Sequence, residues 1–172
     1  MKRTVMLGPI SVIILVAAAA ALAADKTKSE QAFDRLASLQ GEWQGEAFGG
    51  KTKLFYTVTA DGSALMEECR PETGRNMVTM FTVDGDHLIA THYCSAKNQP
   101  QMATSAITDV QKPLEFSLVR VTGLKSRDDF HNMGLTVIQD DDDHLTQEWS
   151  YQHKGKAGKN IFHFTRVRQG AD

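Results

Sequence analysis

An all-β fold is what this sequence predicts: a closed antiparallel up-and-down barrel of about ten strands with one short N-terminal helix. Three observations carry the prediction. From Gly41 to the C-terminus, short runs rich in Val, Thr, Phe and Tyr alternate with turn chemistry. Nine such turn or loop signals can be counted, which implies ten strands. Most are short enough for hairpins between neighbours, so the strands follow one another around a sheet whose two long edges stay exposed unless it closes on itself. A two-sheet sandwich with crossovers is the alternative.

The elements follow in order. Met1-Lys2-Arg3 is a cationic start, Val5 to Leu22 is an apolar run, and Ala21-Leu22-Ala23 places small residues at −3 and −1 of a cleavage point. That pattern is a secretory signal peptide. Residues 1–24 are expected to be removed after Ala23 or Ala24, leaving an exported protein, periplasmic or secreted. An uncleaved anchor is the structural alternative, since the apolar run is just long enough to span a bilayer. Residues 25–40 form an N-terminal segment and helix, and residues 41–168 the barrel domain. Within the segment, Ser29 to Leu39 is the good helical stretch. Phe33, Leu36 and Leu39 recur at spacing three, and Gly41 sits where a helix would stop.

The nine connectors are Gly49-Gly50, Asp61-Gly62, Pro71 to Gly74, Asp84-Gly85, Ala96 to Pro100, Gln111-Lys112-Pro113, Thr122 to Asn132, Asp140 to Asp143 and Lys154 to Lys159. Asp61-Gly62 and Asp84-Gly85 are the sharpest hairpin signals. Alternation suggests which faces look inward. Leu65, Glu67 and Cys69 share one face of the third strand, and Leu88, Ala90, His92 and Cys94 one face of the fifth. Leu145, Gln147, Trp149 and Tyr151 do so in the ninth, and Phe162, Phe164 and Arg166 in the tenth. A slip of one residue would reverse any of these.

Removing Lys2 and Arg3 from 19 basic residues leaves 17 against 21 acidic, a net charge of −4 with neutral histidines. A mildly acidic chain without a basic stripe argues against nucleic acid as a partner. After signal removal no membrane contact is expected. Oligomeric state is open. Two cysteines, Cys69 and Cys94, are no disulfide framework. They end strands two places apart, about 9–10 Å from twice the strand spacing. A bridge needs Cα atoms within about 7 Å.

Gly41-Glu42-Trp43, opening the first strand after a helix, and Arg166, in Phe164-Thr165-Arg166 on the last, together resemble the calycin superfamily of lipocalins and fatty-acid-binding proteins. The resemblance implies that Gly41, Trp43 and Arg166 form a structural signature at the closed end, with the Arg across the indole and bonded to the incoming N-terminal segment. A planar guanidinium suits that task, because it stacks and still has donors left. The blocks Leu39-Gln40-Gly41-Glu42-Trp43-Gln44-Gly45, Asp61-Gly62-Ser63-Ala64-Leu65-Met66-Glu67, Asp84-Gly85-Asp86-His87-Leu88, Thr91-His92-Tyr93-Cys94 and Asn98-Gln99-Pro100 resemble an exported bacterial calycin-like family of unknown function. Nitrobindins are a related group, ten-stranded barrels that bind haem through one His on a late strand. His163 is the residue whose position matches that role. The nitrobindin-like Gly-x-Gly-x-Tyr-Pro continuation is absent, since Gly45 is followed by Glu46-Ala47-Phe48.

The expected function is binding of a small, largely apolar molecule in the barrel, of unknown identity and without a cofactor. Trp149, Tyr151, Phe116, Met80 and Met102 would supply apolar contacts. Glu67, His92, Cys94, Asn98, Gln99, His131 and Gln147 would line or orient its polar end. Asn98, Gln99 and His131 enter because they fall in connecting segments, where barrel mouths carry specificity. Thr122 to Asn132, the longest connection, is a candidate lid. The Asp140-Asp141-Asp142-Asp143 run reads as a solvated hairpin tip, lacking the spacing and Gly of an EF-hand. No metal spacing appears among the six histidines, and no catalytic residue is assigned. His92 and Cys94 share a face, but side chains at i and i+2 stand parallel and do not meet without a third group. The rivals are a haem-binding or catalytic barrel, with His92 or His163 essential, and a barrel with a filled core acting as an interaction module.

Overall fold

The computed structural model describes residues 25–168. The expected signal peptide, residues 1–24, lies outside the described residues. One helix, α1 (Lys28–Ala37), precedes ten strands: β1 (Gly41–Ala47), β2 (Gly50–Thr59), β3 (Ala64–Pro71), β4 (Met77–Asp84), β5 (His87–Tyr93), β6 (Gln99–Ala103), β7 (Leu114–Thr122), β8 (His131–Gln139), β9 (His144–His153) and β10 (Lys156–Arg166). Every strand pairs antiparallel with its sequence neighbours, and β1 pairs with β10, so the barrel is closed. Each of the nine connections contains a position marked by turn chemistry, although the bounds of several differ. The sandwich alternative is excluded by the unbroken strand order.

Thr27 caps α1, its side chain accepting from the Glu30 N–H while Glu30 answers at the Thr27 N–H. The helix ends at Ala37, two residues earlier than the apolar spacing suggests, because Leu39 turns into the core. Gly41 does not stop the helix. It opens β1 at a φ of 129°. The helix buries Ala32, Phe33 and Leu36 across one end of the barrel. Ser29 fastens it there by donating to the Gly85 carbonyl at 2.6 Å.

Turns at the other end are tight. Phe48-Gly49 and Lys154-Gly155 are two-residue loops with positive φ at both positions, the backbone that matches strand twist. The second turn is shorter than expected, and β10 already begins at Lys156. Gln99 and Pro100 belong to β6, and His131 and Asn132 to β8, rather than to connectors. The longest connection between strands is therefore residues 104–113 at the helix end, not the segment after Thr122. It folds Ile107 and Val110 onto the core.

Inward side chains follow the alternation described for the third, fifth, ninth and tenth strands. Leu65, Glu67, Cys69, Leu88, Ala90, His92, Leu145, Gln147, Trp149 and Phe164 are all buried. The half nearer α1 is packed, with the rings of Phe81 and Phe116 5.7 Å apart. No helix among the described residues is long and apolar enough to cross a membrane.

Candidate functional site: a cavity floored by a polar rung

The two ends of the barrel are built differently. At the helix end, Arg166 places its guanidinium 4.3 Å from the Trp43 ring centre. It donates to the carbonyls of Asp142 at 2.8 Å, Gln40 at 2.9 Å and Ser38 at 3.1 Å. The Trp43 indole N–H donates to the Leu39 carbonyl at 2.8 Å. Gly45, two residues on, permits this approach of β1 to β10, since a Cβ there would stand 2.2 Å from the His163 carbonyl oxygen. The acidic run after β8 joins the same structure. Asp141 accepts from the His144 ring and from the N–H groups of Asp143 and His144. Those bonds hold its carboxyl below the usual range and the His144 ring above its own.

At the opposite end a cavity of about 210 Å³ opens between the hairpin turns. Phe48, Pro71, Arg75, Ser95 and Phe130 surround its mouth. Leu54, Met77, Phe162 and Phe164 form apolar walls with Cys69, Cys94 and Trp149. Its deepest groups are polar: Glu67, His92 and Gln147, each no more than 3% exposed.

Strand register explains how these groups meet. Tyr56 on β2 pairs with Glu67 on β3, Glu67 with Thr79 on β4, and Thr79 with His92 on β5. Four inward polar side chains thus form one rung across four consecutive strands. The neighbouring rungs are apolar, Val58–Leu65–Phe81–Ala90 on one side and Leu54–Cys69–Met77 on the other. Gln147 reaches the rung from β9. Its Nε2 donates to Glu67 Oε2 at 2.5 Å and to the Tyr56 hydroxyl at 2.8 Å, and its Oε1 accepts from the Trp149 indole at 3.0 Å. The Tyr56 hydroxyl also donates to Glu67. Thr79 Oγ1 and His92 Nδ1 lie 2.9 Å apart, and the His92 ring packs against Trp149 at 4.8 Å.

Burial dominates the electrostatics. It raises the Glu67 carboxyl above the ordinary range, against hydrogen bonds from Tyr56, Gln147 and Thr79 that favour the charged form. Burial and the neighbouring Glu67 charge lift the Tyr56 hydroxyl well above its usual value and raise the Cys69 thiol. Burial takes His92 down to about 4, so the imidazole is neutral at pH 7.

Of the residues picked out from the sequence, Glu67, His92, Cys94, Gln147 and Trp149 line this cavity. The other four stand outside it. Asn98, almost fully buried, donates to the Phe130 carbonyl at 2.6 Å and ties two mouth loops together. Gln99 faces outward and accepts from Thr122. His131 is held by its own Nδ1 against the Asp129 carbonyl at 2.8 Å. Tyr151 lies over Gly158, where a Cβ would come within 2.4 Å of its ring, and packs against Phe130. Of the apolar candidates, Met80 faces outward, while Met102 and Phe116 belong to the packed half. Segment 123–130 contributes Phe130 to the mouth but does not cross it as a lid.

His163, on the face opposite Phe162 and Phe164, is exposed on the outer surface beside Thr146 at 2.9 Å. The hollow mouth half is at odds with a core filled from end to end. Cys69 and Cys94 end their strands at the same side of the barrel and are both free thiols. His92 is bonded to Thr79, and Cys94 Sγ to the Ala96 N–H, rather than to each other. Among the described residues, no group of three or more His, Cys, Asp or Glu is placed to hold a metal. Tyr56 and Thr79 are the rung residues that the sequence reading does not single out; the signal for Tyr56 is the hairpin count from Asp61-Gly62, which sets it opposite Glu67.

No protein-family model matches the chain, and no curated protein matches it. Among solved structures it is similar to a protein of unknown function from the DUF3598 family of Nostoc punctiforme, at 15% identity and a TM-score of 0.43. That match covers 76% of this chain and 48% of the other, so the chain spans about half the length of that structure. The ten-strand barrel itself fits a calycin-like fold.

Proposed function

We propose that this protein is an exported barrel that binds a small, largely apolar molecule in the cavity between its hairpin turns. One observation carries the reading. An apolar-walled cavity of about 210 Å³ ends on a few convergent, fully buried polar groups, which is how small-molecule sites are generally built. The size suits a ring or a short branched chain, since a cavity of about 150 Å³ accepts benzene. Trp149, Phe162 and Phe164 supply the contact surface, and His92, Glu67 and Gln147 orient the polar end. Export rests on the first 24 residues, with their cationic start, apolar run and Ala-x-Ala end. No cofactor, nucleic acid or membrane enters this reading, and no residue is assigned a catalytic role.

Native mass spectrometry of the mature protein beside its denatured mass tests the proposal. An extra mass lost on denaturation is expected, with a polypeptide beginning at Ala24 or Asp25. A protein of identical mass in both spectra that also shows no thermal shift with apolar ring compounds would overturn the binding reading. A polypeptide retaining residues 1–24 in an exported preparation would overturn the signal assignment alone.

A further inference from the structure

The polar rung also specifies what sort of molecule the cavity accepts, provided that it is a binding cavity. Its buried groups include one carboxyl, one imidazole, the carboxamides of Gln147 and Asn132, and the Trp149 indole N–H, but no Lys or Arg. The guanidinium that borders the cavity, Arg75, is exposed at the mouth. A carboxylate carried to the rung would lose its water, find no cation and meet Glu67. Burying such a charge unpaired is strongly unfavourable. A cationic head would meet a carboxyl whose Oε2 already accepts from both Tyr56 and Gln147.

The hydrogen-bond pattern narrows the choice. Thr79 stands opposite Glu67 on one side and His92 on the other, its Oγ1 2.9 Å from His92 Nδ1 and turned to the Glu67 carboxyl, whose charged form it favours. Two arrangements satisfy all three groups. With Glu67 ionised, the Thr79 hydroxyl donates to the carboxylate and accepts from His92 Nδ1–H, leaving Nε2 as a bare acceptor. With Glu67 protonated, the carboxyl donates to Thr79, Thr79 donates to Nδ1, and Nε2 carries the hydrogen. A ligand hydroxyl both donates and accepts, so it fits either arrangement. A ketone or ether fits only the second. The aromatic walls and the cavity's modest volume add the rest of the description.

We infer that the ligand is an uncharged, hydroxyl-bearing single-ring compound of the phenol class, its hydroxyl at His92 and its ring against Trp149 and Phe162. His92 is then a specificity-determining residue, and Thr79 positions it.

Isothermal titration of the full mature protein at pH 7.5 with four probes of similar shape tests this. The probes are 4-ethylphenol, ethylbenzene, 4-ethylbenzoate and 4-methylbenzylammonium. The expected result is 4-ethylphenol binding roughly 10-fold tighter than ethylbenzene, from one added hydrogen bond, and about 100-fold or more tighter than either ion, from their desolvation. In H92F the phenol should lose its advantage while ethylbenzene binds as before. If H92F fails to fold, T79V tests the same relay, because the imidazole then loses its fixed orientation. Ethylbenzene binding as tightly as 4-ethylphenol would overturn the hydroxyl assignment. An ion binding as tightly as the phenol would overturn the uncharged assignment. Both results would leave cavity binding standing. Failure of all four probes would overturn this inference, and the native mass spectrum would then decide separately whether the cavity binds anything.

Discussion

The helix end and the mouth end of the barrel handle buried polarity in opposite ways. At the helix end, polar groups serve backbone. Three Arg166 donors go to three carbonyls, the Trp43 indole goes to a fourth, and Arg35 closes the 104–113 connector through the carbonyls of Val110 and Lys112. Toward the mouth end, the polar side chains of the rung serve one another, and the rung faces a hollow rather than a packed layer. The first arrangement fixes the chain and the second borders open space. If the proposed binding holds, stability and function are separated along the barrel axis, and substitutions should sort accordingly.

The largest effect should come from Trp43→Ala. The side chain is fully buried and carries both the Arg166 stack and the Leu39 bond. Truncating a buried aromatic costs about 3–5 kcal/mol. Urea denaturation should show that loss, or an unfolded protein, whereas a loss below about 1 kcal/mol would mean that the helix end is not the main anchor.

His92 gives the next largest effect, and only in acid. Its folded value, about 4, lies below its ordinary 6.5. The unfolded chain therefore binds a proton first as pH falls, and the folded state loses stability between about pH 6.5 and 4. The shift corresponds to about 3 kcal/mol. Glu67 runs the other way. Its value is raised on folding, so it is neutral in both states in strong acid and costs stability as pH rises past the ordinary carboxyl range. His92→Gln should thus flatten the acid limb of the stability–pH curve, measured by urea midpoints at pH 7 and pH 4. Glu67→Gln should gain on the wild type as pH rises from 4 to 8. Parallel curves for wild type and His92→Gln would mean that His92 is hydrated in the folded protein.

Arg166→Lys should cost less than the Trp43 change, about 1–3 kcal/mol, by keeping the charge while losing the fork and the planar stack. A thermal shift indistinguishable from wild type would show that charge alone closes the barrel. The same substitution should leave ligand affinity at the mouth unchanged.

Much of this division was legible in the sequence, and the missing part has a definite cause. Turn chemistry marked a point within each of the nine connectors, though it missed the length of 104–113, and alternation put Glu67, His92, Gln147 and Trp149 on inward faces. One pair of the rung could also be counted: with Asp61-Gly62 as a two-residue turn, Ala60 opposes Ser63 and Tyr56 meets Glu67. The other pair could not, because the residues that turn are Gly85-Asp86 rather than Asp84-Gly85, which moves Thr79 from Ala90 to His92. Joining the two pairs requires the register of β3 on β4, which runs through residues 72–76. No two-residue turn rule governs a connector of that length. Asn98, Gln99 and His131 failed for a related reason. Position near the mouth was visible, but the face each side chain takes depends on where β6 and β8 begin.

Phe48 offers the smallest effect on stability and the sharpest test of the separation. It sits at a φ of 57° in the β1–β2 turn, a conformation that bulky residues rarely adopt and that costs about 1–2 kcal/mol. Its ring is about half exposed, packs 4.9 Å from Phe162 and borders the cavity mouth. Backbone strain beside the cavity mouth, where Asn or Gly would relieve it, is the place to test whether the ring covers the mouth. Phe48→Asn relieves the strain and forfeits an aromatic pair of about 0.5–1.5 kcal/mol, so the two terms nearly cancel and the melting temperature should move little. Ligand release, followed by stopped-flow fluorescence of Trp149 in the bound protein, should nevertheless quicken. A variant that melts much lower with unchanged release would place Phe48 among the anchors of the fold, and the mouth end would then hold structure as well as ligand.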